Sequence, residues 1–187
     1  GYFSFENSYR PGLAALFNSF SKTMEVAILS GDHAGERERL QKILPKDSQL
    51  LFDQKPKDKL NFVKDLQKKG RKVMMVGDGL NDAGALSESD VGIAISENVN
   101  VFSPACDAIL DASQFQYLET YQAMAKKSIK IIKLSFMLSL LYNVVGIYFA
   151  VTGQLQPIIA AILMPLSSIS VVTFTTLATN VLGRRLK

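Results

Sequence analysis

Residues 131–151 and 157–182 each run through an almost unbroken series of apolar side chains, separated only by TGQLQ at 152–156. About 20 such residues is the length a helix needs to cross the hydrocarbon core of a bilayer. Lys133 is the one charged residue in the first run, and the second carries none. The chain must therefore either place this pair in lipid or bury it as two core helices. The flanks favour lipid. Lys126, Lys127 and Lys130 precede the first run, Arg184, Arg185 and Lys187 follow the second, and the turn containing Gly153 is uncharged. Basic residues collect on the cytoplasmic side of a membrane. Both ends of the hairpin, and with them the first part of the chain, are expected to face the cytoplasm.

Charge and composition agree with that division. The net charge is +4, yet residues 1–113 hold 14 Lys+Arg against 16 Asp+Glu, and residues 114–187 hold 7 against Glu119 alone. The positive excess belongs to the helix flanks and not to a basic globular surface, so no nucleic-acid partner is expected. Cys106 and His33 are the only residues of their types. An internal disulfide is excluded, and so is a zinc-type ligand cluster; Cys106 reads as a small buried apolar residue and His33 as a surface one. The chain opens on Gly without a signal-like segment and reads as a piece of a longer protein.

Residues 1–114 alternate short β-rich runs with amphipathic ones. EVAIL (25–29) ends in Ser30-Gly31-Asp32, KVMMV (72–76) ends in Gly77-Asp78-Gly79, and VGIAI (91–95) and 108–110 complete the strand pattern. Residues 57–69 set Leu60, Phe62, Val63 and Leu66 among charges at close to helical period. Strands alternating with helices predict an α/β fold with a parallel sheet. In such sheets the chemistry lies at the carboxyl ends of strands, where both polar turns fall. Residues 115–130 are expected to form an amphipathic linker helix, and 131–187 the apolar hairpin with its basic terminus.

The run GDGLNDAGAL (77–86) places Asp78 and Asp82 in a turn after a buried strand. Two carboxylates four residues apart can converge on one hard cation. Mg²⁺ takes oxygen ligands and binds through one or two carboxylates plus phosphate. Asn81 can donate toward a phosphate or lock the loop. A Gly-Asp-Gly turn alone is more often structural than catalytic; the longer string is more specific.

That string resembles the GDGxNDxPAL motif of P-type ATPases, whose phosphorylation domain is a haloacid-dehalogenase-like Rossmannoid parallel sheet. Ser30-Gly31-Asp32 is similar to the family's TGD motif, which holds the phosphoryl group. Pro56-Lys57-Asp58-Lys59 is similar to its PxxK segment, which implies Lys59 as a phosphate-contacting cation. The opening GYFSFENSYRPG resembles the strand and turn that follow the nucleotide-binding domain. The resemblance covers nearly all of residues 1–113. It implies Mg²⁺ at Asp78 and Asp82, and ATP held mainly by a nucleotide-binding domain outside this chain. Two departures stand out. Gly84 occupies the motif's usual Pro position, and no Asp-Lys-Thr-Gly occurs, so the family's phosphorylated Asp is absent. Phosphoryl transfer through a covalent intermediate needs that nucleophile. The fragment alone is expected to be inactive.

In the apolar runs, Tyr142-Asn143 and Met164-Pro165-Leu166-Ser167-Ser168 stand out. Met164 and Ser168 are four apart and share a helix face, Pro165 removes a helical N–H, and a thioether is a soft ligand suited to Cu(I). These residues resemble the YN and MxxSS signatures of copper-transporting P-type ATPases. The resemblance implies Tyr142, Asn143, Met164 and Ser168 as ligands of transported Cu(I), with Cys-Pro-Cys ligands in an earlier helix. It also implies a bacterial-type cytoplasmic membrane, the rest of the ATPase chain and a copper chaperone as partners. Three alternatives stay open: a zinc/cadmium pump, a membrane-anchored phosphatase of the same superfamily, and a truncated membrane protein without catalysis. A zinc/cadmium pump would be expected to carry a carboxylate in its last helices, and none lies between 131 and 182.

Overall fold

The structure, a computed structural model, describes residues 9–10, 12–97 and 106–184. Most of the opening GYFSFENSYRPG and the basic Arg185 and Lys187 lie outside the described residues. The chain divides into two compact units, Gly1–Glu119 and Thr120–Lys187.

The first unit alternates helices and strands: α1 (Leu13–Phe20), β1 (Ala27–Leu29), α2 (Arg37–Ile43), β2 (Gln49–Leu51), α3 (Pro56–Lys68), β3 (Met74–Gly77), α4 (Ala83–Glu88), β4 (Val91–Ser96) and β5 (Ala108–Asp111). All pairings are parallel. β1 pairs with β2, aligning Ala27 with Gln49, while β3 pairs with β4 and β4 with β5, aligning Met74 with Val91 and Ile93 with Ala108. Among the described residues these form two separate sheets, of two and three strands.

Side-chain alternation sends the larger sheet's apolar residues to both faces. Met75 and Ala94 pack with Val63 of α3 and Ala85 and Leu86 of α4. Their neighbours Met74, Val76, Ile93 and Ile95 point the other way, onto Leu16 and Phe20 of α1, Phe115 and Leu118. A sheet covered on both faces explains why KVMMV and VGIAI read as continuous apolar runs. Leu40, Leu44 and Phe52 make a third cluster beside β1 and β2. The parallel α/β fold expected from the sequence is present.

The second unit holds most of α5 (Leu118–Val151) and all of α6 (Pro157–Gly183), both long and apolar enough to cross a membrane. A separate linker helix at 115–130 is not what forms. Residues 112–117 make a 3-10 helix, and α5 then runs 34 residues without interruption. No Gly or Pro stands between 118 and 145 to end it, so the shift from charged to apolar residues changes the helix's surroundings and not its backbone. The turn at 152–156 is as expected, with Gly153 at φ 69°.

Candidate functional site

Two polar turns lie at the carboxyl ends of the parallel strands. At the end of β3 the chain enters the loop 78–82, where Gly79 adopts φ 86°. Asp78 Oδ1 accepts hydrogen bonds from the backbone N–H groups of Leu80 and Asn81, each at 3.2 Å. This closes the loop as an Asx turn. Asp78 and Asn81 are exposed, whereas Asp82 is buried.

Asp82 is held from two sides. Lys59 Nζ donates to its Oδ1 at 2.7 Å, with both side chains about a tenth exposed (12% and 10%). On the other side the carboxylate lies against Gly77, where a Cβ would sit 2.4 Å from Oδ2. Only glycine leaves that space, and this is the physical reason for the first Gly of the motif. Lys59 is delivered by the first turns of α3. Pro56 occupies the first helical turn and Asp58 accepts from the Lys55 N–H at 3.0 Å, both helix-starting features.

The second turn follows β1. The Ser30 hydroxyl accepts from the Asp32 N–H at 3.1 Å and donates to Asp32 Oδ2 at 3.2 Å. Backbone bonds lace this turn to the segment after β2: Asp53 N–H to Asp32 O at 3.0 Å and Gln54 N–H to Ser30 O at 2.9 Å. Asp53 has φ 56°, a left-handed conformation uncommon outside glycine. Its Oδ1 lies 2.6 Å from Nδ1 of His33. His33 is indeed a surface residue, yet it carries a carboxylate partner 20 positions away that spacing along the sequence does not reveal.

The sequence-selected residues thus fall into groups. Ser30, Gly31 and Asp32 form one with Asp53, and Lys59, Asp78, Asn81 and Asp82 form another. Asp82 enters as the partner of Lys59, so Asp78 is the more accessible carboxylate. Its capacity as an acceptor exceeds the two bonds it makes, and one or two carboxylates are what Mg²⁺ needs from a protein. That donor set fits the cation. No cluster of three or more His, Cys, Asp or Glu is present among the described residues.

Two carboxylates outside the site are shifted by their neighbours. The Lys72 ammonium beside Asp90, with the Val73 N–H, holds its carboxyl down at about 2. The Ser113 hydroxyl and N–H hold Asp111 below the ordinary carboxylate value.

In the second unit Tyr142 is half-buried, and its hydroxyl lies 2.9 Å from that of Ser170 on α6. Asn143 and Ser168 are exposed and Met164 is 75% exposed. The four residues singled out in the hairpin are not gathered at one point among these two helices.

A family model described as haloacid dehalogenase-like hydrolase matches residues 2–90, and the first unit with its parallel sheet is a domain of that class. Among curated proteins, "Probable copper-importing P-type ATPase A" of Enterococcus hirae is 38% identical over 151 residues, covering 80% of this chain and 21% of that protein. "Copper-exporting P-type ATPase" of Staphylococcus aureus is 36% identical over 150 residues, covering 80% and 19%. Among solved structures, the catalytic CPx-ATPase domain CopB-B is 31% identical with a TM-score of 0.53, over 60% of this chain and 45% of that one. A zinc-transporting PIB-type ATPase in the E2.Pi state superposes with a TM-score of 0.79 over 92% of this chain and 28% of that one, at 19% identity; at that identity the likeness is one of fold. The chain belongs to the P-type ATPases. It spans about a fifth of the length of the curated relatives it matches.

Proposed function

We propose that this chain works as part of an ATP-driven pump that exports Cu(I), with residues 1–119 facing the cytoplasm and α5 and α6 crossing the membrane. The observation that carries the reading is the Lys59–Asp82 pair beside the exposed Asp78, at the carboxyl end of β3. An ammonium has three donors, and Asp82 takes one at 2.7 Å, so Lys59 retains two for phosphoryl oxygens. The buried carboxylate fixes where that cation sits, at a site built to meet concentrated negative charge. Asp78 is the residue that would hold Mg²⁺, which supplies charge neutralisation around a phosphoryl group. Ser30 and the backbone of its turn would hold the phosphoryl oxygens from β1.

The phosphorylated aspartate belongs to a part of the pump outside this chain, as does the domain that binds ATP. Residues 1–119 then act on that phosphoryl group without being its acceptor. For the cargo, Met164 offers a soft sulfur, and no Asp or Glu lies between 131 and 182 to serve a harder dication. The relatives named as copper-importing and copper-exporting support copper as the ion; outward transport is our choice between their two directions.

The test uses the complete ATPase and follows acid-stable phosphoenzyme formed from labelled ATP. Asp78→Asn should reduce Mg²⁺-dependent phosphorylation by at least about a hundredfold. Normal phosphorylation of that variant would remove the basis for the site.

A further inference from the structure

We infer that Ser170 is a positioning residue for the Tyr142 phenol in the membrane hairpin, an assignment that rests on the reading of Tyr142 as part of the Cu(I) path. The half-buried positions of α5 include Tyr142, Gly146 and Phe149, and those of α6 include Leu163, Ser167 and Ser170. Both sets follow the three-and-four spacing of one helix face, and the 2.9 Å contact between the hydroxyls of Tyr142 and Ser170 joins the two helices. Of the two serines in the MxxSS run, Ser167 shares this face and Ser168 does not. Ser168 is two residues from Ser170, about 160° around the helix, and it is exposed. Met164 stands six residues away, about 9 Å along the axis and about 120° around it.

Ser170 therefore acts on Tyr142 from a face of α6 that Met164 and Ser168 do not share. A tyrosine side chain swings through two rotatable bonds, and its oxygen travels several ångströms between rotamers. In an apolar surround the phenol needs a polar partner. The Ser170 hydroxyl is that partner, and it fixes where the phenol oxygen stands before an ion arrives. A ligand oriented in advance binds more tightly because less ordering remains to be done. The role requires a hydroxyl at 170, and Thr supplies one on the same backbone position.

The experiment measures Cu(I)-stimulated ATP turnover of the complete, reconstituted ATPase, reading the half-saturating Cu(I) concentration and the maximal rate separately. Hydrogen bonds between membrane helices are modest. Ser170→Ala should accordingly raise the half-saturating concentration about threefold to fifteenfold, with the maximal rate within about twofold of the parent. Ser170→Thr should restore it. Tyr142→Phe should raise it too, and adding Ser170→Ala to Tyr142→Phe should change nothing further. A loss of maximal rate with unchanged half-saturation would make the contact simple helix packing and overturn the proposal. Independent, multiplying effects of the two substitutions would overturn it as well. If Tyr142→Phe raises half-saturation while Ser170→Ala does not, the positioning role alone fails. If Tyr142→Phe changes nothing, the cargo reading of Tyr142 fails and takes the proposal with it.

Discussion

Replacing Lys59 by Met removes one half of the Lys59–Asp82 pair while keeping most of the side chain's length and apolar bulk. At 2.7 Å the direct attraction amounts to about 6 kcal/mol at an effective dielectric constant of about 20. Desolvation of two groups that are only 12% and 10% exposed offsets much of it. The net value of the pair is therefore small, but the cost of leaving Asp82 charged, buried and alone is not. Breaking such a pair from one side costs about 3–5 kcal/mol, and residual exposure of Asp82 places this case near about 3. Hydrogen–deuterium exchange of the amides in α3 and α4 reads that cost locally. A loss of about 3 kcal/mol raises the opening equilibrium a little over a hundredfold. Asp82→Asn should cost less, about 1 kcal/mol, because the unpaired lysine can extend toward solvent. The double variant Lys59→Met/Asp82→Asn should be more stable than Lys59→Met alone, with a coupling near about 2 kcal/mol. Additivity within about 0.5 kcal/mol would show that the two side chains do not act as a buried pair.

Gly77→Ala places a methyl group 2.4 Å from Asp82 Oδ2 and 2.8 Å from its Cβ, and should destabilise α3 and α4 by about 1–3 kcal/mol in the same exchange experiment; parent-like protection would mean that Asp82 moves aside freely. Asp90 has its pKa lowered to about 2, so its contribution to stability is present above the unfolded value of about 3.9 and fades as pH falls through about 2. Thermal unfolding of the chain in detergent should lose part of its pH dependence across that window in Asp90→Asn, and an unchanged profile would count against the Lys72 contact. Met164→Val should raise the Cu(I) concentration for half-maximal turnover about tenfold or more without altering phosphorylation at low temperature, and unchanged copper stimulation would exclude the sulfur as a ligand.

The sequence announces some of these features and conceals others for physical reasons. The apolar runs at 72–76 and 91–95 correspond to β3 at Met74–Gly77 and β4 at Val91–Ser96, because a strand buried on both faces needs a continuous apolar run. α3 shifts by one residue from 57–69 to Pro56–Lys68. β2 is different. Its three residues, Gln49–Leu51, are too few to display any period, and only their pairing with β1 makes them a strand. α4 hides inside the GDGLNDAGAL run, since Ala83–Glu88 is short and begins within what reads as a turn. The Asp78 loop was legible from its glycines and carboxylates. The partnership of Asp82 with Lys59 was not, because 23 positions separate them and the fold alone brings them together. The same holds for His33 with Asp53 and for Tyr142 with Ser170.

The length of α5 has a consequence for its composition. Its 34 residues make a helix about 51 Å long, against a hydrocarbon core of about 30 Å. A bilayer would take about 20 of them, so the rest of the helix has to suit water and headgroups. The first part of α5, with Glu119, Lys126, Lys127 and Lys130, is the part whose side chains do so, and Lys133 stands where a long aliphatic stem can carry its ammonium back to the interface.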